Sequence, residues 1–290
     1  MIYLDYSANT PADERVLARF CAVERRCPGN ANSHHQAGLD AKAEIDHATQ
    51  TIARLLRVQP AEIIYTSGAS ESNNFALKGL ARLSRHVGKH IISTPLEHSS
   101  VSGTLTALQE QGYEIDLVDI KRDGTIDLDH LKELLRPDTI VVAVTMVDSE
   151  LGVVQPVQEI AEILKEYPHC HLHVDATQAV GKIPVSFEGV DTMSLTAHKF
   201  YGLNGIGLLL KRRNLALSLS STAERAPPST AAAPRRWLWP PRWRWHWSWP
   251  WSSCRSTPRP SKRPIHSSAP SWPSIPKSAS TARRTPFPTS

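Results

Sequence analysis

Thr139-Ile140-Val141-Val142-Ala143-Val144, a helically spaced stretch over 156–166, and then His171-Leu172-His173-Val174-Asp175 decide the fold. The first run is apolar on both faces, the pattern of a central strand covered by helices above and below. A helix and another apolar strand follow it closely, which is the grammar of an α/β domain. Upstream the alternation continues: a helix over 41–56 stops before Pro60, and Glu62-Ile63-Ile64-Tyr65 reads as a strand. A helix from Phe75 to Leu83, the strand His90-Ile91-Ile92-Ser93, a helix over 99–110, a strand from Glu114 to Val118 and a helix over 127–135 come next. Downstream, Gly205 to Leu210 reads as a late strand. In such sheets ligands bind at the carboxyl ends of the strands, so the residues there carry the functional question.

The net charge of +5 is a sum of two unlike parts. Residues 1–217 hold 21 basic and 27 acidic side chains, whereas 218–290 hold 12 basic and one acidic, Glu224. All 8 Trp and 14 of the 22 Pro lie in 218–290, and all 14 Gly lie before it, so the last segment lacks the usual turn residues and does not continue the same globular design. The chain therefore divides into an N-terminal segment at 1–14, a domain at 15–217, and a low-complexity tail at 218–290 expected to be disordered. The start MIYLDYSANTPADERV has no leader pattern and no apolar run reaches the 18 or so residues of a membrane span, so the expectation is a cytoplasmic chain without membrane contact. Four scattered Cys (21, 27, 170 and 254) form neither a disulfide framework nor paired zinc ligands.

Three places at strand ends carry chemistry. Thr66-Ser67-Gly68-Ala69-Ser70-Glu71-Ser72-Asn73-Asn74 joins a strand to a helix, and its small residues suit either a phosphate cradle at the helix N-terminus or a plain Ser/Thr cap. Asp175 ends an apolar strand, where a carboxylate either caps the next turn or meets a cationic group such as a pyridinium nitrogen. His171 and His173 share one strand face without a third ligand at a sensible spacing, which favours a structural role over a metal. Lys199, in Ser194-Leu195-Thr196-Ala197-His198-Lys199-Phe200-Tyr201-Gly202, is flanked by apolar and aromatic residues; it is either a surface lysine or a partly desolvated amine able to form Schiff bases. Together, the cradle, the acid and the lysine match a phosphorylated aldehyde cofactor with a ring nitrogen.

With these residues in place, the chain resembles the pyridoxal-phosphate cysteine desulfurases of the class V aminotransferase-like group. The matching stretches are LDYSANTPAD, TSGASESNNFALKG, LEHSSV, ELGVVQP, HVDATQAVGKIP and TAHKFYGLNGIG, in that order, across residues 1 to about 217. The resemblance implies a type I pyridoxal-phosphate fold: a mixed, mostly parallel α/β sheet with helices on both faces, here without the small C-terminal domain. It implies Lys199 as the Schiff-base lysine and Asp175 as the partner of the pyridinium nitrogen. His98 would stack on the ring and move protons, a role suited to an imidazole. Ala69, Ser70, Thr196 and His198 would hold the phosphate, and Gln178 the ring hydroxyl. Ser149 stands where the family often has Asn, a second ring-hydroxyl contact, and its side chain is shorter.

The implied reaction takes sulfur from L-cysteine, leaving alanine and an enzyme persulfide for iron–sulfur cluster or thio-cofactor synthesis. The implied partners are a sulfur acceptor or scaffold protein and a second copy of the chain. The persulfide cysteine of the family lies well over a hundred residues beyond the lysine; only 91 residues follow Lys199, and Cys254 is not assigned that role. The chain as written is accordingly expected to be impaired or inactive. The tail at 218–290 is expected to be an out-of-frame translation: with suitably chosen codons, a one-base shift after Leu217 turns residues 218–240 into EPLIHGGKSTTVYRSGTPTLALA, which holds motifs resembling the family's continuation. Rival readings are a non-catalytic cofactor-binding remnant, a selenocysteine lyase or another class V relative, and a nucleic-acid-binding tail built on its alternating Trp and Arg.

Overall fold

Strand β4 (Thr139–Thr145) is buried at every position, and the rest of the domain is arranged around it. A computed structural model describes residues 2–217; the tail at 218–290, with Cys254 and the Trp-rich run, lies outside the described residues. Alternate residues of β4 serve different cores. Val142 and Val144 join one apolar cluster with Ile92, Leu172, Val174, Met193 and Ile160, while Val141 and Ala143 join another with Leu77, Leu80, Ile91, Val101 and Leu105. Each such side chain contributes about 1.5–3 kcal/mol on burial, which is why so apolar a strand takes the middle of the sheet.

The other strands are β1 (Ile63–Thr66), β2 (His90–Ser93), β3 (Glu114–Leu117), β5 (His171–Asp175), β6 (Thr192–Thr196) and β7 (Gly207–Lys211). They form one seven-stranded sheet in the order β1-β7-β6-β5-β4-β2-β3. β7 runs antiparallel to both neighbours, and the other pairings are parallel, so this is the mixed, mostly parallel sheet that was expected. Helices α1 (Glu14–Arg26), α2 (Gln36–Leu56), α3 (Ala69–Leu83), α4 (Ser99–Gln109), α5 (Leu128–Leu134) and α6 (Val157–Leu164) complete the chain order. In α6 the buried residues Val157, Ile160, Ala161 and Leu164 fall at helical spacing, laying one stripe on the sheet. α3 turns Ala69, Asn73, Ala76, Leu77 and Leu80 inward.

Three differences from the sequence reading have physical causes. α3 begins at Ala69 rather than Phe75, because its N-cap is Gly68 and the Ser/Asn run is already helical. β7 begins at Gly207 rather than Gly205, since Gly205 holds a left-handed φ of 81° that ends the preceding turn. β6 and α1 were not read as elements: β6 carries three hydroxyl residues in a fully buried strand, and α1 buries none of its residues. Among the described residues no helix is long and apolar enough to cross a membrane.

Candidate active site

The carboxyl ends of β1, β2, β4, β5 and β6 lie on one edge of the sheet, and the helices that follow β1 and β2 start there. Gly207 allows this edge to close. A Cβ on it would fall 2.6 Å from Gly68 Cα, so the turn before α3 packs directly on β7. α3 carries no side-chain cap. Its hydroxyl neighbours bond elsewhere: Thr66 Oγ1 donates to Gly68 O at 3.1 Å and shares a 2.8 Å bond with Ser72 Oγ. Ser67 gives its N–H and hydroxyl to Glu71. The Ser/Thr run is therefore no cap, and the N-terminal peptide groups of a 15-residue helix face the edge with its positive dipole end.

Around that cradle, Ala69 is buried and Ser70 exposed in the first turn of α3. Thr196 ends β6, 1 % exposed, and its Oγ1 lies 3.0 Å from His198 Nδ1 and donates to Ile206 O at 3.1 Å. A Cβ at Gly68 would come no closer than 3.7 Å to Thr196 Oγ1, so the cradle has room on that side. Burial, with help from Lys199, lowers the His198 pKa. The helix N–H groups, the Ser70 hydroxyl and the nearby cationic charge of Lys199 suit a phosphate, with Thr196 and His198 beside them.

Lys199 is half-buried in a short turn (Ala197–Lys199) after β6. Burial lowers its pKa below the ordinary lysine value, while Asp5 and Asp175 act in the opposite sense. Its Nζ donates to Ser7 O at 2.7 Å and Ala8 O at 2.9 Å. The N-terminal segment is thus part of the site. Gln178 Nε2 also donates to Ser7 O, at 3.0 Å, and Ser7 Oγ donates to Ser149 O at 3.0 Å. Buried Thr10 fixes the segment, with its N–H and hydroxyl both on His198 O and its Oγ1 accepting Tyr201 N–H at 2.7 Å. Tyr201 holds a positive φ of 65°, and its O accepts Asp13 N–H at 2.9 Å.

Asp175, at the end of β5, caps the next turn and takes a second donor from α3. Oδ1 accepts Thr177 N–H at 2.9 Å, capping the turn, and Oδ2 accepts Asn73 Nδ2–H at 2.8 Å. It is 4 % exposed, a charge facing the edge with donors on both oxygens. His98 is the exposed N-cap of α4, its Nδ1 accepting Ser100 N–H at 3.1 Å. Ser149 is exposed in the turn after β4 with its backbone engaged, and Gln178 sits on the Ser7 side of Lys199. His173 is fully buried, which lowers its pKa to about 4 and keeps the ring neutral, and His171 faces Asp191 at 3.6 Å. No group of three metal-ligating side chains occurs among the described residues. Burial raises the Cys170 thiol to about 12, which suits a core residue.

The residue model for the aminotransferase class-V family matches residues 2–224. The chain belongs to that family. It is 41 % identical over 223 residues to the cysteine desulfurase IscS of Neisseria meningitidis serogroup C, covering 76 % of this chain and 55 % of that one. Two solved structures share the fold. A NifS-like protein superposes with TM-score 0.73 at 36 % identity over 74 % of this chain and 60 % of its own. SspA in complex with cysteine gives 0.69 at 34 %, over 73 % and 61 %. The chain spans about half the length of the curated relatives it matches.

Sequence reasoning missed Ser7, Ala8, Thr10, Glu97, Ser100 and Asn73. For Asn73 a signal existed, since it falls on the apolar stripe of α3 where a polar residue needs partners. Glu97 could not be read, because its burial is a tertiary fact. Its Oε1 accepts Thr145 N–H at 2.7 Å and Thr94 Oγ1–H at 2.8 Å, while its Oε2 is buried without a partner. Burial, with nearby Asp175 and Asp148, pushes its pKa up to about 8.

Proposed function

We propose that this chain is the cofactor domain of a pyridoxal 5′-phosphate-dependent cysteine desulfurase. The observation that carries the reading is the convergence, on one sheet edge, of an uncapped α3 N-terminus, the buried Asp175 carboxylate and the half-buried Lys199 amine. When bound, pyridoxal phosphate supplies an electron sink conjugated to the substrate α-carbon. Lys199 would be the amine that holds it, and its lowered pKa increases the neutral, nucleophilic fraction. Asp175 would be the carboxylate partner of the ring nitrogen. Ala69, Ser70, Thr196 and His198 would hold the phosphate, and Gln178, with the shorter Ser149, would serve the ring hydroxyl. His98, exposed at the N-cap of α4, takes and returns protons at the substrate. L-cysteine is the substrate we favour, a second copy of the chain completes the site, and a sulfur acceptor or scaffold protein is the partner.

The test uses the full 290-residue chain. Adding pyridoxal phosphate is expected to produce a visible absorption band that Lys199→Ala abolishes and that L-cysteine perturbs. A chain with no Lys199-dependent band contradicts the proposal. Alanine and sulfide release from cysteine, compared with selenide release from selenocysteine, separates a desulfurase from a selenocysteine lyase.

A further inference from the structure

We propose that Asn73 is a positioning residue that sets Asp175 and, through Ser100, His98 at the sheet edge; this rests on the cofactor reading above. Asn73 lies in the second turn of α3, fully buried, and every hydrogen-bonding position of its amide is used. Nδ2 donates to Asp175 Oδ2 at 2.8 Å and to Ser100 Oγ at 2.9 Å. Oδ1 faces Ser194 Oγ and lies 3.1 Å from His173 Nε2.

Counting donors and acceptors fixes the direction of this network. Ser194 gives its hydroxyl hydrogen to Asn73 Oδ1. His173 is neutral and carries its hydrogen on Nε2, because that nitrogen faces Asn73 Oδ1, which can only accept; Thr192 Oγ1, 2.9 Å from Nδ1, then donates. With two donors aimed at Oδ1, the amide cannot turn over without placing its NH2 against two hydrogens, so Nδ2 is held toward the carboxylate. On the other side Ser100 Oγ accepts from Asn73, leaving its own hydrogen for His98 Nδ1 at 2.8 Å. That nitrogen also takes Ser100 N–H, so the proton of a neutral His98 sits on Nε2. One side chain of α3 thereby connects a helix that begins at the cradle, the acid at the end of β5 and the imidazole at the start of α4.

A residue that only filled space would not need this arrangement, and its loss would lower stability without changing what Asp175 and His98 do. The experiment titrates pyridoxal phosphate into the full chain and its variants between pH 6 and 9, following the visible band, with thermal melting as the folding control. Asn73→Ala, still folded, is expected to weaken cofactor binding roughly ten- to a hundredfold, the loss of a hydrogen bond to a charged group, and to move the pH midpoint of the band. In the ligand-free chain, nuclear magnetic resonance of the His98 ring nitrogens should show the Nε2–H tautomer less favoured in both Asn73→Ala and Ser100→Ala. Wild-type affinity together with an unmoved midpoint in Asn73→Ala overturns the inference and leaves the cofactor reading intact. Absence of a Lys199-dependent band in the wild-type chain overturns both. Should Asn73→Ala fail to fold, Ser194→Ala, which removes one of the two donors orienting the amide, is expected to shift affinity the same way by about threefold. An unmoved Ser194→Ala then overturns the inference.

Discussion

Asp175 and Glu97 stand at the same edge of the sheet, and their surroundings set them apart. At the end of β5, Asp175 has a donor on each oxygen, Thr177 N–H on one and the Asn73 amide on the other. In the loop after β2, Glu97 has two donors on Oε1 and none on a buried Oε2. Donors on both oxygens favour the ionised form of a carboxylate, whereas desolvation and the neighbouring carboxyls of Asp175 and Asp148 push the Glu97 pKa up to about 8. The difference lies in the partners supplied.

The largest effect should come from turning Asp175 into something like its neighbour. Asp175→Asn removes the charge and sets an NH2 group against the Asn73 NH2. Breaking a buried pair of this kind costs about 3–5 kcal/mol, so pyridoxal phosphate affinity should fall by roughly two to three powers of ten, read by titration of the visible band. Unchanged affinity would mean that the buried charge does not serve the cofactor.

Glu97 sharpens the contrast through pH. Below its unfolded value of 4.5 it is protonated in folded and unfolded chains alike; from there to about 8 the unfolded chain releases a proton that the folded chain retains. Stability should thus fall as pH rises through that window, by up to roughly 1.4 kcal/mol per pH unit. His173 has the opposite sign: its pKa is depressed, so its contribution is lost as pH drops below its unfolded value of 6.5. The two oppose each other below 6.5, and the Glu97 loss stands alone between 6.5 and about 8. Urea unfolding across pH should show that loss, and Glu97→Gln should flatten it.

A smaller effect is expected where the N-terminal segment is tied down. Thr10→Val keeps the shape but strands Tyr201 N–H and one bond to His198 O, at about 1–3 kcal/mol. Chemical denaturation measures it, and no loss would show that the segment is held by other contacts. The least effect should follow Lys165→Ala, which breaks an exposed pair with Glu162 far from both acids; an unshifted melting midpoint is expected.

Much of this was legible in the residues. The apolar run of β4, the helical spacing of α6 and the order of strands and helices follow from local patterns that burial enforces, so the α/β sheet could be read directly. The cradle turn, Asp175 and Lys199 were legible because each sits where a strand ends. For the Ser/Thr run at 66–72 the sequence left a cap and a cradle open, and only the hydroxyl partners, turned away from the helix N–H groups, exclude the cap. The link of the N-terminal segment to the domain is not legible in the sequence, because nothing local ties Ser7 and Ala8 to Lys199, 192 and 191 residues away.

The sequence by itself determined the class of fold and the residues that stand at the strand ends, because these depend on hydrophobic period and chain order. Only the tertiary structure decided which polar atoms are paired. Asn73 reaches Asp175 and Ser100 across the packing of α3 on the sheet, Glu97 loses water without gaining a second partner, and the segment before α1 closes on Lys199. Burial and hydrogen-bond satisfaction are properties of the assembled edge, and they set which acid is charged, which imidazole is neutral and where the site's protons reside.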